Sequence, residues 1–514
     1  LTEDGWRYSI IDVIYITVKM RMGTDNSPEG GITMSVAAFD RLKGYMSSRL
    51  LEKIVQTSTS GDEEKLAELF ELLSRLAPAR YYRESFLDLA RMTREDHPMT
   101  RVFRRIFTDL HPNCRQKAIR NFFVNFLLVG RGIRDRKEAE LGLHLPNFMV
   151  VSPTMRCNLR CKGCYAAGYS REDELSFERL DSLIGEAKDL GMFFFTFSGG
   201  ECFVRPDLLD LWEKHDDCFF HVYTNGTLLD DAVVKRLVRL GNVAPMLSVE
   251  GSRVETDMRR GPGVYDRVME SFSRLSRAGV LFGFSATCTR SSSDYIASDQ
   301  FLEWMLDLGC KVGWFFQYIP TGDDPDLSYM ATPSQRLTLH RKVTEWRQKY
   351  PIFLGDFWND GPFVDGCMAG GERYLHVISN GDVEPCVFVH FAVDNINDRS
   401  LLDVIQSPFF QDIRERQPYD DDNLLCPCMI IDHPQVLREV VRTHGARATH
   451  PGSERILTEL SEGLDSYSGN IHELFDPLWD GGGRERYLRS LEREDKPRPR
   501  GRLNKRLQTE QRTG

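Results

Sequence analysis

From residue 148 to residue 318 the chain alternates two kinds of segment, and this rhythm constrains its fold more than any other feature. Short apolar or β-branched runs occur at FMVVS (148–152), FFFTFS (193–198), FFHVYT (219–224), PMLSVE (245–250), FGFSAT (282–287) and VGWFFQY (312–318). Between them lie amphipathic stretches of helical length: SFERLDSLIGEAKDLG (176–191), LLDDAVVKRLVRLG (228–241), VYDRVMESFSRLSRAG (264–279) and SDQFLEWMLDLG (298–309). A weaker one is RPDLLDLWEKH (205–215). Strands that alternate with helices pair in parallel through right-handed crossovers. Six such units predict an α/β fold, either a (β/α)6 part-barrel or an open sheet, with chemistry at the C-terminal strand ends. The rhythm alone does not separate the two.

The rest of the chain is organised around this block. At about 100–200 residues per domain, 514 residues predict two to four domains. Residues 1–145 are expected to form a mainly helical domain, from the three- and four-residue apolar spacing of LAELFELLSRLA (66–77), ESFLDLARM (84–92) and RQKAIRNFFVNFLLVG (115–130). The barrel is expected over 146–330, a small cysteine-rich unit over 331–440, a helical segment over 441–483 and a disordered charged tail over 484–514. A net charge of -10 argues against a nucleic-acid partner. The apolar stretch 122–130, bounded by Arg120 and Arg131, is far short of the roughly 20 residues of a membrane span. With no signal-peptide pattern in LTEDGWRYSI, a cytoplasmic protein without a transmembrane segment is expected.

Chemistry enters at CNLRCKGC, directly after the first strand run, where Cys157, Cys161 and Cys164 have the spacing C-x3-C-x2-C. Three thiolates on one loop can hold three corners of a four-iron cluster that normally takes four, leaving one iron open to a ligand. The same triplet also suits a zinc site closed by a fourth ligand. After the second strand run comes Ser198-Gly199-Gly200-Glu201, two glycines that let a ligand approach the backbone and a carboxylate that can bind an ammonium. The other cysteines (Cys114, Cys202, Cys218, Cys288 and Cys310) occur singly and are expected to be buried small hydrophobes.

Taken together, these residues resemble the radical S-adenosylmethionine (SAM) enzymes, over roughly 148–320. The resemblance implies that Cys157, Cys161 and Cys164 bind a [4Fe–4S] cluster whose open iron is chelated by SAM. It further implies that reductive cleavage yields a 5′-deoxyadenosyl radical, which takes a hydrogen atom from substrate. Gly199, Gly200 and Glu201 match the family's GGE motif, expected beside the methionine amino group. Asn225, in TNG, matches the third-strand end; Ser248 and Glu250 match residues that hold the ribose; Arg259 or Arg260 could pair with the SAM carboxylate. One departure is Gly163, where the family often has an aromatic residue near adenine; Tyr165 is the candidate substitute. A flavodoxin or ferredoxin is the expected electron donor.

A second set follows. Cys367, 13 residues, Gly381, four residues and Cys386 precede Cys426 and Cys428 in LLCPC, with an NG turn at 380–381 that would bring Cys386 back towards Cys367. This resembles the SPASM/Twitch auxiliary-cluster extension of the family. With four cysteines, the resemblance implies one further [4Fe–4S] cluster held by Cys367, Cys386, Cys426 and Cys428. Peptide or protein modification is the favoured activity, with a lipid or other apolar substrate next. The rival from another class is a zinc-stabilised binding or scaffold protein on an inactive barrel.

Overall fold

The computed structural model describes residues 63–76, 80–419 and 422–493. Readings that fall on 1–62 and 494–514 lie outside the described residues. All six expected runs are strands: β1 (Met149–Val151), β2 (Phe194–Phe197), β3 (Phe219–Thr224), β4 (Val243–Ser248), β5 (Gly283–Cys288) and β6 (Val312–Gln317). Three more join the same sheet, β7 (Phe353–Asp356), β8 (His376–Val377) and β9 (Val383–Glu384), in the order β7-β6-β5-β4-β3-β2-β1-β8-β9. Every pairing is parallel except the β8–β9 hairpin.

The crossover helices start and stop where local chemistry directs. Ser176, Asp230 and Ser298 accept backbone N–H groups at the starts of Phe177–Asp189, Asp231–Leu240 and Asp299–Asp307, satisfying donors that a first turn leaves unpaired. Gly241 closes the second of these helices in the left-handed region. An additional short helix, Arg253–Arg260, capped by Ser252, lies between β4 and helix Val264–Ala278 and was not expected.

Side-chain alternation settles barrel against open sheet. Val150, Thr196, His221, Tyr223, Ser285, Trp314 and Phe316, on five different strands, line one lumen. Their neighbours Phe195, Phe220, Val222, Phe284 and Phe315 are buried in the apolar core that includes the crossover helices. The fold is therefore a partial barrel of the α/β class.

The N-terminal helices close its lower mouth. One continuous helical run passes from Pro112–Ala118 through a π-helical stretch, Ile119–Gly130, into Arg131–Leu141. Asn121 and Asn125 donate to the carbonyls of Asp216, Cys218 and Asp217, just before β3. This anchors Phe122 against the rings of Phe194 and Phe219, at 5.9 and 5.7 Å, and Phe126 against Phe194 at 5.2 Å. The apolar 122–130 run is thus the barrel's floor.

Two boundaries shift. The sheet continues past residue 330, because β7 extends β6 and the cysteine-rich unit adds its hairpin to β1. The charged tail expected from Arg484 begins as a helix, Arg484–Arg493. Among the described residues no helix is long and apolar enough to cross a membrane.

Candidate functional site

The loop carrying Cys157, Cys161 and Cys164 leaves β1 at the upper mouth, and all three cysteines line the lumen. Burial pushes the Cys157 thiol up to about 11, and repulsion from Glu201 and the other two thiols adds to it. Cys157 Sγ accepts the Leu159 amide at 3.4 Å and faces the Asn225 side-chain amide at 3.7 Å. Hydrogen bonds of this kind stabilise cluster-bound sulfur. The donor set fits a [4Fe–4S] cluster: three clustered thiols, with the adjoining carboxylate already satisfied by the protein.

That carboxylate is Glu201, fully buried, accepting from Thr224 Oγ1 at 2.8 Å, Asn225 N at 2.7 Å and Phe203 N at 3.1 Å. Its work in this structure is to tie the end of β2 to the end of β3. The two glycines before it also serve the chain itself. Gly200 N and Glu201 N donate to the carbonyls of Thr154 and Arg156, at 3.0 and 2.8 Å. A Cβ at Gly200 would meet Arg156 O at 2.1 Å, and one at Gly199, where φ is +103°, would meet Thr154 O at 2.6 Å. Both glycines line the lumen, and both also let the backbone of the cysteine loop come close.

On the opposite wall, Glu250 is buried between Arg259 Nη1 at 2.6 Å and Arg260 Nε at 2.8 Å. Burial pushes its carboxyl up, and the two guanidiniums outweigh that, leaving it below the ordinary carboxylate range. Two cations over one anion leave one positive charge at the lumen wall, where Arg259 and Arg260 are exposed to the cavity and Glu250 is not among the lining residues. Arg259 also feels the Cys161 and Cys164 thiols, and its carbonyl accepts the Lys162 amide at 2.8 Å. Ser248 and Asn225 line the same cavity.

Gly163 has a structural cause: φ is +62° and a Cβ would sit 2.6 Å from the Tyr318 ring. Tyr318, at the end of β6, fills the space that a side chain at 163 would take, and it lines the lumen. Tyr165 instead bonds Ser198 Oγ at 2.7 Å, accepts the Gly199 amide at 3.1 Å and packs edge-on to Phe388. Deeper in the lumen stands His221, another residue that sequence reasoning passed over. Neither of its ring nitrogens has a hydrogen-bond partner, and burial pulls the imidazole down to about 3. The cavity measures about 240 Å³ and narrows onto aromatic side chains from β2, β6, β7 and the floor helix.

The second cysteine set behaves differently from its spacing. Tyr419, fully buried, is surrounded by the thiols of Cys367, Cys428 and Cys386. Cys367 Sγ accepts the Ala369 amide and Cys428 Sγ the Ile430 amide, each at 3.4 Å, as Cys157 does with Leu159. Cys386 receives the Tyr374 hydroxyl at 3.1 Å. These three fit an auxiliary cluster. Cys426 does not join them: it is buried in a separate apolar cluster with Ile471 and Phe475. Three of the four expected ligands are thus grouped around Tyr419, with Cys426 packed to one side. The single cysteines Cys114, Cys202, Cys218, Cys288 and Cys310 are all buried.

Two segments of the chain match known family models. Residues 151–288 match the radical SAM superfamily, and residues 367–429 match the iron–sulfur cluster-binding domain SPASM. The AdoMet-dependent heme synthase of Methanosarcina barkeri is 25% identical over 321 residues, covering 57% of this chain and 90% of that protein. The mycofactocin maturase MftC of Mycobacterium tuberculosis is 26% identical over 303 residues, covering 55% and 76%. Among solved structures, Streptococcus suis SuiB bound to S-adenosylmethionine is 18% identical, with a TM-score of 0.49 over 70% of this chain and 87% of that one.

Proposed function

The chain belongs to the radical SAM superfamily, and from that premise we propose that it is an enzyme modifying a peptide, one of whose side chains enters the barrel lumen. When bound, the [4Fe–4S] cluster and SAM supply an electron and a sulfonium whose reductive cleavage yields a hydrogen-abstracting carbon radical. Cys157, Cys161 and Cys164 hold that cluster; Cys367, Cys386 and Cys428 hold the auxiliary one. A flavodoxin or ferredoxin supplies the electron.

This chain's own residues do the positioning. The single positive charge left by Arg259 and Arg260 over Glu250 suits the SAM carboxylate. Tyr318 and Ser248 border the same mouth, the first offering an aromatic face to adenine and the second a hydroxyl to the ribose. Asn225 fixes the cysteine loop by donating to Asn158 Oδ1 at 2.8 Å. Below them the aromatic walls and the Phe122–Phe126 floor exclude water from a reactive intermediate.

The observation that carries the reading is that the three thiols open onto the same lumen as the ends of β2, β3, β4, β5 and β6. The name of one relative, a PqqA peptide cyclase, supports a peptide substrate. The aromatic floor favours a second reading, an apolar small molecule, in keeping with the relative named a heme synthase.

Anaerobic incubation with reductant, SAM and deuterated cell extract, separated into peptide and lipid fractions, tests both. Deuterium in 5′-deoxyadenosine from the peptide fraction supports the first reading; deuterium from the lipid fraction alone overturns it. Cys157→Ala should abolish 5′-deoxyadenosine formation, and its survival would remove the cluster assignment.

A further inference from the structure

We propose that Cys426, His472 and Asp476 form a mononuclear site for a divalent cation, zinc by preference, separate from the auxiliary cluster. The ligand atoms of these three residues lie within 4.8 Å of one another. His472 and Asp476 are one helical turn apart on Ser461–Leu478, so they share a face, and Cys426 approaches from the loop opposite.

The hydrogen bonding around Cys426 separates it from the cluster ligands. In Cys157, Cys367 and Cys428 the sulfur accepts the amide two residues further on. The corresponding amide for Cys426 belongs to Cys428, and it donates to Asp432 Oδ2 at 3.0 Å. Pro427 between them has no N–H to give.

His472 is set up as a ligand. Its Nε2 lies 3.1 Å from the Asp432 carbonyl, which can only accept, so Nε2 carries the proton. Its Nδ1 faces Asp476 Oδ1, 2.9 Å away, and the Cys426 sulfur lies within 4.8 Å of both, so the three atoms can share one ion. A ligating histidine whose other nitrogen is held by a backbone carbonyl is the common arrangement around metals. Asp476 Oδ1 is steadied by the Asn423 amide at 2.7 Å. The loop is held by Arg336, fully buried, which bonds Leu425 O at 2.9 Å and pairs with Asp432 at 2.5 Å. One sulfur, one imidazole and one carboxylate suit zinc in a tetrahedral site, with solvent as the fourth ligand. The ion would clamp the loop bearing Cys428 to the C-terminal helix.

The test measures metal in the full chain, purified and cluster-reconstituted anaerobically, then exposed to Zn²⁺ and desalted. Wild-type protein should retain about one zinc beside its iron. His472→Ala and Cys426→Ser should lose the zinc and keep iron and visible cluster absorbance, whereas Cys428→Ser should lose iron and keep zinc. Substitution with Co²⁺ should give a thiolate charge-transfer band that His472→Ala lacks. Absence of retained zinc in the wild type, or iron loss in Cys426→Ser equal to that in Cys428→Ser, overturns the proposal. Because zinc and iron are counted separately, and neither readout uses turnover, failure here is distinct from failure of the radical SAM reading.

Discussion

Replacing Gly200 with alanine tests whether the cysteine loop is held by backbone contact. The added Cβ would lie 2.1 Å from Arg156 O, 2.6 Å from Arg156 C and 2.7 Å from Met155 C. All three are backbone atoms, so no side-chain rotation relieves the contact, and the loops must separate by about 1 Å to reach ordinary van der Waals distance. That movement strains the Gly200–Thr154 and Glu201–Arg156 bonds of 3.0 and 2.8 Å. Overpacking costs about 1–3 kcal/mol, and two weakened hydrogen bonds add about 1 kcal/mol each. A displacement of about 1 Å at a reacting centre lowers rate by about 100-fold. The assay counts iron after reconstitution without SAM, then follows 5′-deoxyadenosine formation. Iron should fall before SAM is added, because the altered part is the protein's own loop. Gly185→Ala is the control: it lies in helix Phe177–Asp189 with nothing within 4 Å of its Cβ, so it should be neutral or slightly stabilising. Full iron content in Gly200→Ala with weakened SAM binding would refute the reasoning and return the glycines to ligand clearance.

Two other substitutions probe the cofactor wall. Tyr318→Phe removes the bond from Asp326 N at 3.1 Å but keeps the ring, whereas Tyr318→Ala removes the ring beside Gly163; the alanine variant alone should raise the KM for SAM, by about 10-fold for a stacking loss near 1.4 kcal/mol. Equal effects from both would sink the stacking role. Glu250→Gln leaves two buried guanidiniums without their carboxylate and should destabilise the metal-free protein by about 3–5 kcal/mol in denaturant titration. Because the folded Glu250 carboxyl lies below its ordinary range, its contribution is complete above the unfolded value near 4.5 and is lost as pH falls through the depressed one. The gap between wild type and Glu250→Gln should therefore close on acidification below about pH 4.5, and a gap constant down to pH 3 would contradict the assignment.

What the sequence disclosed and what it withheld divide along physical lines. The six strands were legible because interior and exterior side chains alternate with period two, as in Thr196 between Phe195 and Phe197. The cysteine triplet was legible because a single loop supplies every ligand, so spacing along the chain equals proximity in space. Roles that depend on which remote segment comes near were not. Gly163 looked like a missing aromatic residue until Tyr318, 155 positions away, was found against it. Glu250 resembled a ribose ligand, yet the unexpected helix Arg253–Arg260 brings two arginines onto it. The CPC spacing placed Cys426 with Cys428, but only the Arg336–Asp432 pair and helix Ser461–Leu478 determine which of the two faces the other thiols.

The same reasoning explains why the auxiliary unit is built into the sheet and not tethered beside it. Met368 and Val387, each directly following a cysteine of the second set, line the lumen, as does Tyr374, whose hydroxyl reaches Cys386. One layer of side chains thus separates the auxiliary thiols from the cavity. Such a thin wall works only if its position is fixed against the barrel. Parallel pairing of Val150 with His376 and of Val151 with Val377 fixes it, and a buried polar chain locks it. His376 bonds Ser152 on the barrel side at 2.7 Å and Glu384 on the hairpin side at 2.8 Å, and Glu384 accepts the hydroxyls of Tyr169 and Thr449 at 2.6 Å each. Every member of that chain is satisfied by another, which makes the junction rigid. A group entering the lumen would then stand between two cysteine-lined centres held by one continuous sheet.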